Sequence, residues 1–127
     1  MKQGVIEMRQ RQERLSALIR QEVSEILLRR VKDPRISSFL VITGVKMSKD
    51  LRYAHIYVSV YGSEEEKKQT MKGLESAKGF IRSELGKDLR IRFVPEIFFE
   101  LDDSLEKGDR ILRKLKELGL EDEEYSE

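Results

Sequence analysis

The chain has no cysteine, no tryptophan and no asparagine, only two prolines, and a single histidine. Without cysteine there can be no disulfide, no thiolate nucleophile, no thiolate-bound zinc and no iron–sulfur cluster. One histidine, His55, is too few for a multi-histidine metal site, and nothing marks it as the base of a nucleophilic dyad. No apolar run approaches the ~20 residues that cross a bilayer, and Met1 is not followed by the apolar core of a signal peptide. These absences argue for a cytoplasmic protein that is not an enzyme and needs no cofactor and no metal. The missing asparagine, beside abundant Lys, Arg and Glu, suggests a heat-adapted source.

Charge is what the sequence has in abundance. Asp, Glu, Lys and Arg make up 39% of 127 residues, and the formal net charge is only +1. That balance hides a division. Residues 1–92 hold 20 basic and 12 acidic side chains, whereas residues 93–127 hold 5 basic and 12 acidic. A body of net +8 followed by a segment of −7 is compatible with phosphate neutralisation by the body. It is equally compatible with an unevenly charged, salt-bridged surface. A chain of this length forms one domain and buries roughly two-thirds of its unfolded surface.

Apolar periodicity divides the chain into elements. Leu15, Leu18, Ile19, Val23, Ile26 and Leu27 recur at three- and four-residue steps and predict a helix over 7–30, ended by Asp33-Pro34. Val, Ile and Thr dominate 39–48, and 53–61 alternates, with Ala54, Ile56, Val58 and Val60 on one face and Tyr53, His55, Tyr57 and Tyr61 on the other. The short polar link 49–52 makes these two strands an antiparallel hairpin. Ser63 with Glu66 three residues later is a capping box, and Met71, Leu74 and Ala77 carry the helix onward. Gly79 interrupts the pattern before Phe80, Ile81 and Leu85 resume it, so a kink or break is expected there. Residues 90–100 read as the last strand, with Arg90 and Arg92 opposite Ile91 and Phe93, and Pro95 favouring an edge or bulge. Asp103 and Glu106 cap a further helix, with Leu105, Ile111, Leu112, Leu115 and Leu118 on one side. The last eight residues, five of them acidic, are expected to be disordered.

Helix, two strands, helix, break, helix, strand is the order of type II KH domains, an α+β fold with a three-stranded sheet packed against helices. The residues extend the likeness. Asp33-Pro34-Arg35, Val45 with Ser48-x-Asp50-Leu51 and Ala54, Val58-Ser59, Ala77-x-Gly79-Phe80-Ile81-Arg82, Arg92-x-x-Pro95 and Phe99-x-x-Asp102-x-Ser104 before Gly108 occur in order. In these segments, over about residues 9–112, the chain resembles the bacterial ribosome-binding factor A family. The resemblance implies a monomeric assembly factor that binds the free 30S ribosomal subunit and its 16S rRNA, near the 5′-terminal helix. It implies help with late maturation and rRNA processing, without cutting RNA. Other assembly factors are possible partners; membranes and small-molecule substrates are not expected. The domain division that goes with it is an rRNA-binding KH-like domain over 1–103, a C-terminal helix over 104–119 and an acidic tail over 120–127.

KH domains generally clamp about four nucleotides with a Gly-x-x-Gly loop. This chain has none; at that place it has Ala77-Lys78-Gly79, as the family does. Ala77 and Gly79 therefore form a helix kink that either faces RNA or lets two short helices cross. Lys78, Arg82, Arg90 and Arg92, with Arg9 and Arg14 on the first helix, are the candidate RNA-binding residues. Each can instead solvate its face or pair locally with acids. Tyr53, Tyr57, Tyr61 and His55 could stack bases, unless the outer sheet face is covered. Two rival readings remain: a protein-interaction module without RNA contact, and a metal-dependent nuclease using Glu100, Asp102 and Asp103. Helix capping accounts for the adjacent aspartates better than a metal does.

Overall fold

The computed structural model describes residues 2–102, with side chains from Glu7 onward. Expectations that fall on Asp103, on the helix over 104–119 and on the tail over 120–127 lie outside the described residues. Helix α1 covers Lys2–Arg29, strands β1 and β2 cover Leu40–Met47 and Tyr53–Val60, helix α2 covers Glu64–Leu89, and strand β3 covers Glu96–Leu101. The fold is α+β, a three-stranded mixed sheet packed against two helices.

Strand β2 is central, antiparallel to β1 and parallel to β3. A bulge between Ile42 and Gly44 leaves Thr43 without a partner in the register. The period-two pattern of β2 acts as expected: Ala54, Ile56, Val58 and Val60 are buried under the helices, and Tyr53, His55, Tyr57 and Ser59 face away. Ile97 on β3 and Ile42 and Met47 on β1 complete the inner face. Onto it α1 lays Ile19, Val23 and Ile26, and α2 lays Leu74, Ile81 and Leu85, all buried. Leu18, expected on the core face, is 49% exposed, because one step along a helix rotates it about 100° from Ile19.

The Ser48-x-Asp50-Leu51 motif is the β1–β2 turn. Leu51 adopts a left-handed φ of 61° and donates its N–H to the Ser48 carbonyl at 3.0 Å. Ser48 Oγ donates to Asp50 Oδ1 at 2.7 Å, and the Arg52 N–H donates to the same oxygen. Asp33-Pro34-Arg35 is a second carboxylate-centred turn: Arg35 Nη2 and Nε reach Oδ2 and Oδ1 of Asp33 at 2.7 and 3.1 Å, and its N–H reaches Oδ1. The Arg35 guanidinium holds Asp33 below the usual carboxylate range, and the Ser48 hydroxyl does the same for Asp50. A carboxylate with a depressed folded pKa adds stability that is complete above its unfolded pKa and is lost as pH falls through the folded one. Thermal melts from pH 7 downward should therefore lose stability below the ordinary carboxylate pKa, and Asp33→Asn with Asp50→Asn should flatten that limb.

Two expected boundaries are corrected. Helix α2 is one continuous helix, opened by the Ser63–Glu66 capping box and running unbroken through Ala77-Lys78-Gly79. There is no break at Gly79 because Leu74, Ile81 and Leu85 continue one buried stripe across it, and that packing outweighs the ~1 kcal/mol propensity cost of glycine. Gly79 has no positive φ, and a Cβ there would meet nothing within 4 Å. Gly79→Ala is thus expected to raise stability by about 0.5–1 kcal/mol in chemical denaturation.

The last strand begins at Glu96, not at residue 90. Arg90 is the left-handed C-cap of α2, with φ 52° and its N–H on the Gly86 carbonyl at 3.1 Å. Pro95 has no N–H to give a ladder, so pairing starts one residue later, where Glu96 N–H meets the Arg52 carbonyl at 2.8 Å. Arg90 and Arg92 therefore do not share a strand face.

Candidate nucleic-acid interface

The structure sorts the basic side chains into those that hold the fold and those left facing solvent. Arg30 bridges the helices, with Nη1 2.8 Å from both Glu84 Oε2 and Asp88 Oδ2. Arg82 lies on the flank of α2 toward β3. Its Nε and Nη2 donate to the carbonyls of Pro95 and Val94 at 3.0 and 3.1 Å, and Glu96 lies 3.6 Å from Nη2. The guanidinium is spent on the loop between α2 and β3, so Arg82 is a structural clamp. Lys78 is also engaged: Nζ sits 2.9 Å from Glu75 Oε1 and 5.6 Å from the centre of the Phe98 ring.

Arg9, Arg14 and Arg90 are exposed and form no ion pair with a described residue, and Arg92 is exposed with its guanidinium over the Phe93 ring at 5.5 Å. They do not form one patch. Arg9 lies beside Val45 and Lys46 on the β1 flank of α1, and Arg14, five residues on, points about 140° away around the axis. Arg90 and Arg92 sit together where α2 ends.

Ala77 and Gly79 diverge as well. Ala77 lines a shallow groove of about 230 Å³ with Arg30, Val31, Lys32 and Phe80, between the end of α1 and the middle of α2. Gly79 belongs to an exposed ridge, Lys72, Ser76, Gly79 and Ser83, at four-, three- and four-residue spacing. Small side chains make up that ridge beside Lys72, and Lys32 stands exposed at the groove that Ser76 also lines. Neither lysine stood out in the sequence, because a polar face along one helix reads as ordinary solvation; the 72-76-79-83 spacing was the available signal.

Among the described residues the acidic side chains form no metal centre. Glu100 Oε1 lies 3.2 Å from His55 Nδ1, and Asp102 Oδ2 accepts from Thr43 Oγ1 at 2.7 Å. No three of His, Asp and Glu converge among the described residues. On the outer sheet face His55 stacks on Phe98 with ring centres 5.3 Å apart, and Tyr53 lies 6.0 Å from the same ring. Burial, with the Glu100 carboxylate close by, raises the Tyr57 hydroxyl pKa above its ordinary value.

A mixed sheet with both helices on one face, a parallel last strand and no Gly-x-x-Gly clamp defines a type II KH-like α+β domain. The family model of ribosome-binding factor A matches residues 11–115. A ribosome-binding factor A from Dictyoglomus thermophilum is 95% identical over 120 residues, covering 94% of this chain and all of its own. The chain belongs to the ribosome-binding factor A family. Among solved structures, a Thermotoga maritima protein determined in solution as a putative ribosome-binding factor A is 41% identical, covers 71% of this chain and 85% of its own, and has a TM-score of 0.65. A homology model of the Thermus thermophilus ribosome-binding factor A, fitted into the cryo-EM map of a complex with the 30S subunit, shares the fold at 22% identity and a TM-score of 0.53, over 73% of this chain and 92% of its own.

Proposed function

We propose that this protein is a non-catalytic assembly factor that binds the free 30S subunit through 16S rRNA and assists its late maturation. Family membership over residues 11–115 is the observation that carries the reading. Six of the cations that form no ion pair with a described residue supply its chemistry: Arg9, Arg14, Arg90, Arg92, Lys32 and Lys72 contact phosphates, whereas Arg82 and Lys78 position the elements that present them. The small-residue ridge of α2 and the groove beside Ala77 seat the RNA backbone, and docking there holds or displaces an rRNA helix until maturation ends. The protein acts as a monomer in the cytoplasm and needs no cofactor.

Sedimentation of the purified protein with free small subunits, mature and precursor, tests the reading. The protein is expected to travel with them at low salt and to be released when the full ribosome forms. Protein that stays at the top of the gradient would overturn it. Lys72→Glu with Arg92→Glu should weaken binding while changing stability by no more than about 0.5 kcal/mol, because both side chains lie at the surface. For every phosphate that no longer meets a cation, the slope of log affinity against log salt should flatten by about 0.7–0.9.

A further inference from the structure

Phe93 stands 79% exposed, although its alternation with Ile91 reads as a core pattern. On a loose loop that exposure would carry no meaning, but this loop is held. Arg82 donates to the carbonyls of Val94 and Pro95, and Pro95 is fully buried. Val94 packs on α2 so closely that a Cβ at Gly86 would stand 2.7 Å from its Cγ2. Phe93 therefore presents its ring from a fixed base. The Arg92 guanidinium, 5.5 Å from the ring centre, lies over one face and leaves the other to solvent.

The approach to this ring is cationic. The exposed ridge Lys72, Ser76, Gly79, Ser83 continues along α2 through Lys87 to the C-cap Arg90, at four- and three-residue steps. That line spans about 27 Å of helix. It holds three cations and no carboxylate, and it stops three residues before Phe93. The acids beside it are engaged: Glu75 on Lys78, Glu84 and Asp88 on Arg30, and Glu96 on Arg82. A lone exposed phenylalanine needs no explanation. A fixed ring with a guanidinium on one face, at the end of a line of cations, has the two groups that unpaired RNA requires. Base faces stack on aromatic rings while phosphates pair with cations, and a continuous duplex keeps those faces inside its own stack. An acidic protein surface would satisfy the cations and leave the ring without a use.

We propose that Phe93 stacks on an unpaired nucleobase of the rRNA, with Arg92 against the opposite face of the ring and Lys87 and Arg90 on neighbouring phosphates. This inference rests on the reading of the protein as an rRNA-binding assembly factor and adds the class of ligand: a single strand, or a base turned out of its helix. Because every base has a π-face, the site holds an unpaired segment in position without reading its sequence. Arg82 contributes by keeping Val94 and Pro95, and with them the ring, in place.

The absence of tryptophan makes the test direct. Phe93→Trp places one indole at the site, and a short single strand of oligoadenylate should quench its emission at low salt. A duplex with the same number of phosphates should leave that emission unchanged. Emission that ignores the single strand, or responds equally to the duplex, would overturn the proposal. With small subunits, Phe93→Ala should weaken binding about 5- to 150-fold, the worth of one base stacked on an aromatic ring. The slope of log affinity against log salt should stay as it is, since no phosphate contact is removed. Phe93→Leu keeps an apolar side chain but no flat face, and should bind as poorly as Phe93→Ala. All three variants should keep the melting temperature, because the ring lies at the surface. Phe93→Leu that binds like the unaltered protein would overturn stacking and leave the assembly-factor reading intact. If the unaltered protein itself does not travel with small subunits, that reading fails and this inference with it.

Discussion

Gly73→Val should be among the most damaging single substitutions in the chain, lowering stability by about 1–3 kcal/mol through overpacking. A Cβ at Gly73 would stand 2.6 Å from Ile36 Cγ1 and 3.4 Å from Arg35 Cβ, so the loop after Asp33-Pro34 would have to lift off α2. That loop has little freedom to do so. Thr70, fully buried one turn earlier, accepts the Ser37 N–H on Oγ1 at 3.2 Å and donates to the Arg35 carbonyl at 3.3 Å. Lifting the loop would break both hydrogen bonds and pull Ile36 away from the helix. For a domain of this size the melting temperature should fall by roughly 4–12 °C. Gly79→Ala in the same helix should move it upward. If both glycine variants shifted stability in the same direction, the close approach at Gly73 would not be what decides the outcome.

Arg82→Ala should cost about 2 kcal/mol, since two carbonyl groups are deprived of a charged donor. The expected consequence is local: the loop carrying Val94 and Pro95 loosens, and hydrogen exchange at the start of β3 accelerates. Arg82→Lys should recover less than half of that stability, because an ammonium cannot reach both carbonyls with the planar fork of a guanidinium. Binding to small subunits should fall together with stability, and the salt slope should stay as in the unaltered protein. A variant that kept its melting temperature but bound poorly with a flatter slope would instead make Arg82 a phosphate ligand.

These two residues mark where sequence reading reached its limit. Arg82 is legible as part of Ala77-x-Gly79-Phe80-Ile81-Arg82, but a sequence does not show the carbonyls of Val94 and Pro95 that lie within its reach. Gly73 and Gly79 are six residues apart in one helix and look alike in the chain. Glycine inside a helical pattern marks some special need, and only the approach of Ile36 shows that Gly73 has it, whereas Gly79 faces open solvent. The break expected at Gly79 does not occur, and α2 runs unbroken through both glycines. The start of β3 was misplaced for a related reason: Ile91 and Phe93 alternate like a strand, but Arg90 closes α2 in a left-handed turn, a conformation that glycine usually supplies.

What the sequence determined by itself is the set of elements and their inward faces. Period-two alternation in β2, three- and four-residue apolar steps in α1 and α2, the Ser63–Glu66 cap and the short polar link at 49–52 are local signals written by hydrogen-bond geometry and burial, and each produced the expected element. Family membership was legible too, because it rests on the order of short segments. The tertiary structure alone decided which charges are free. Arg30, Arg35 and Arg82 look no different in sequence from Arg9, Arg14 and Arg92. Whether a guanidinium is spent inside the fold depends on which acids and carbonyls the packing brings within about 3 Å of it, and that distance is set by residues up to 58 positions away along the chain.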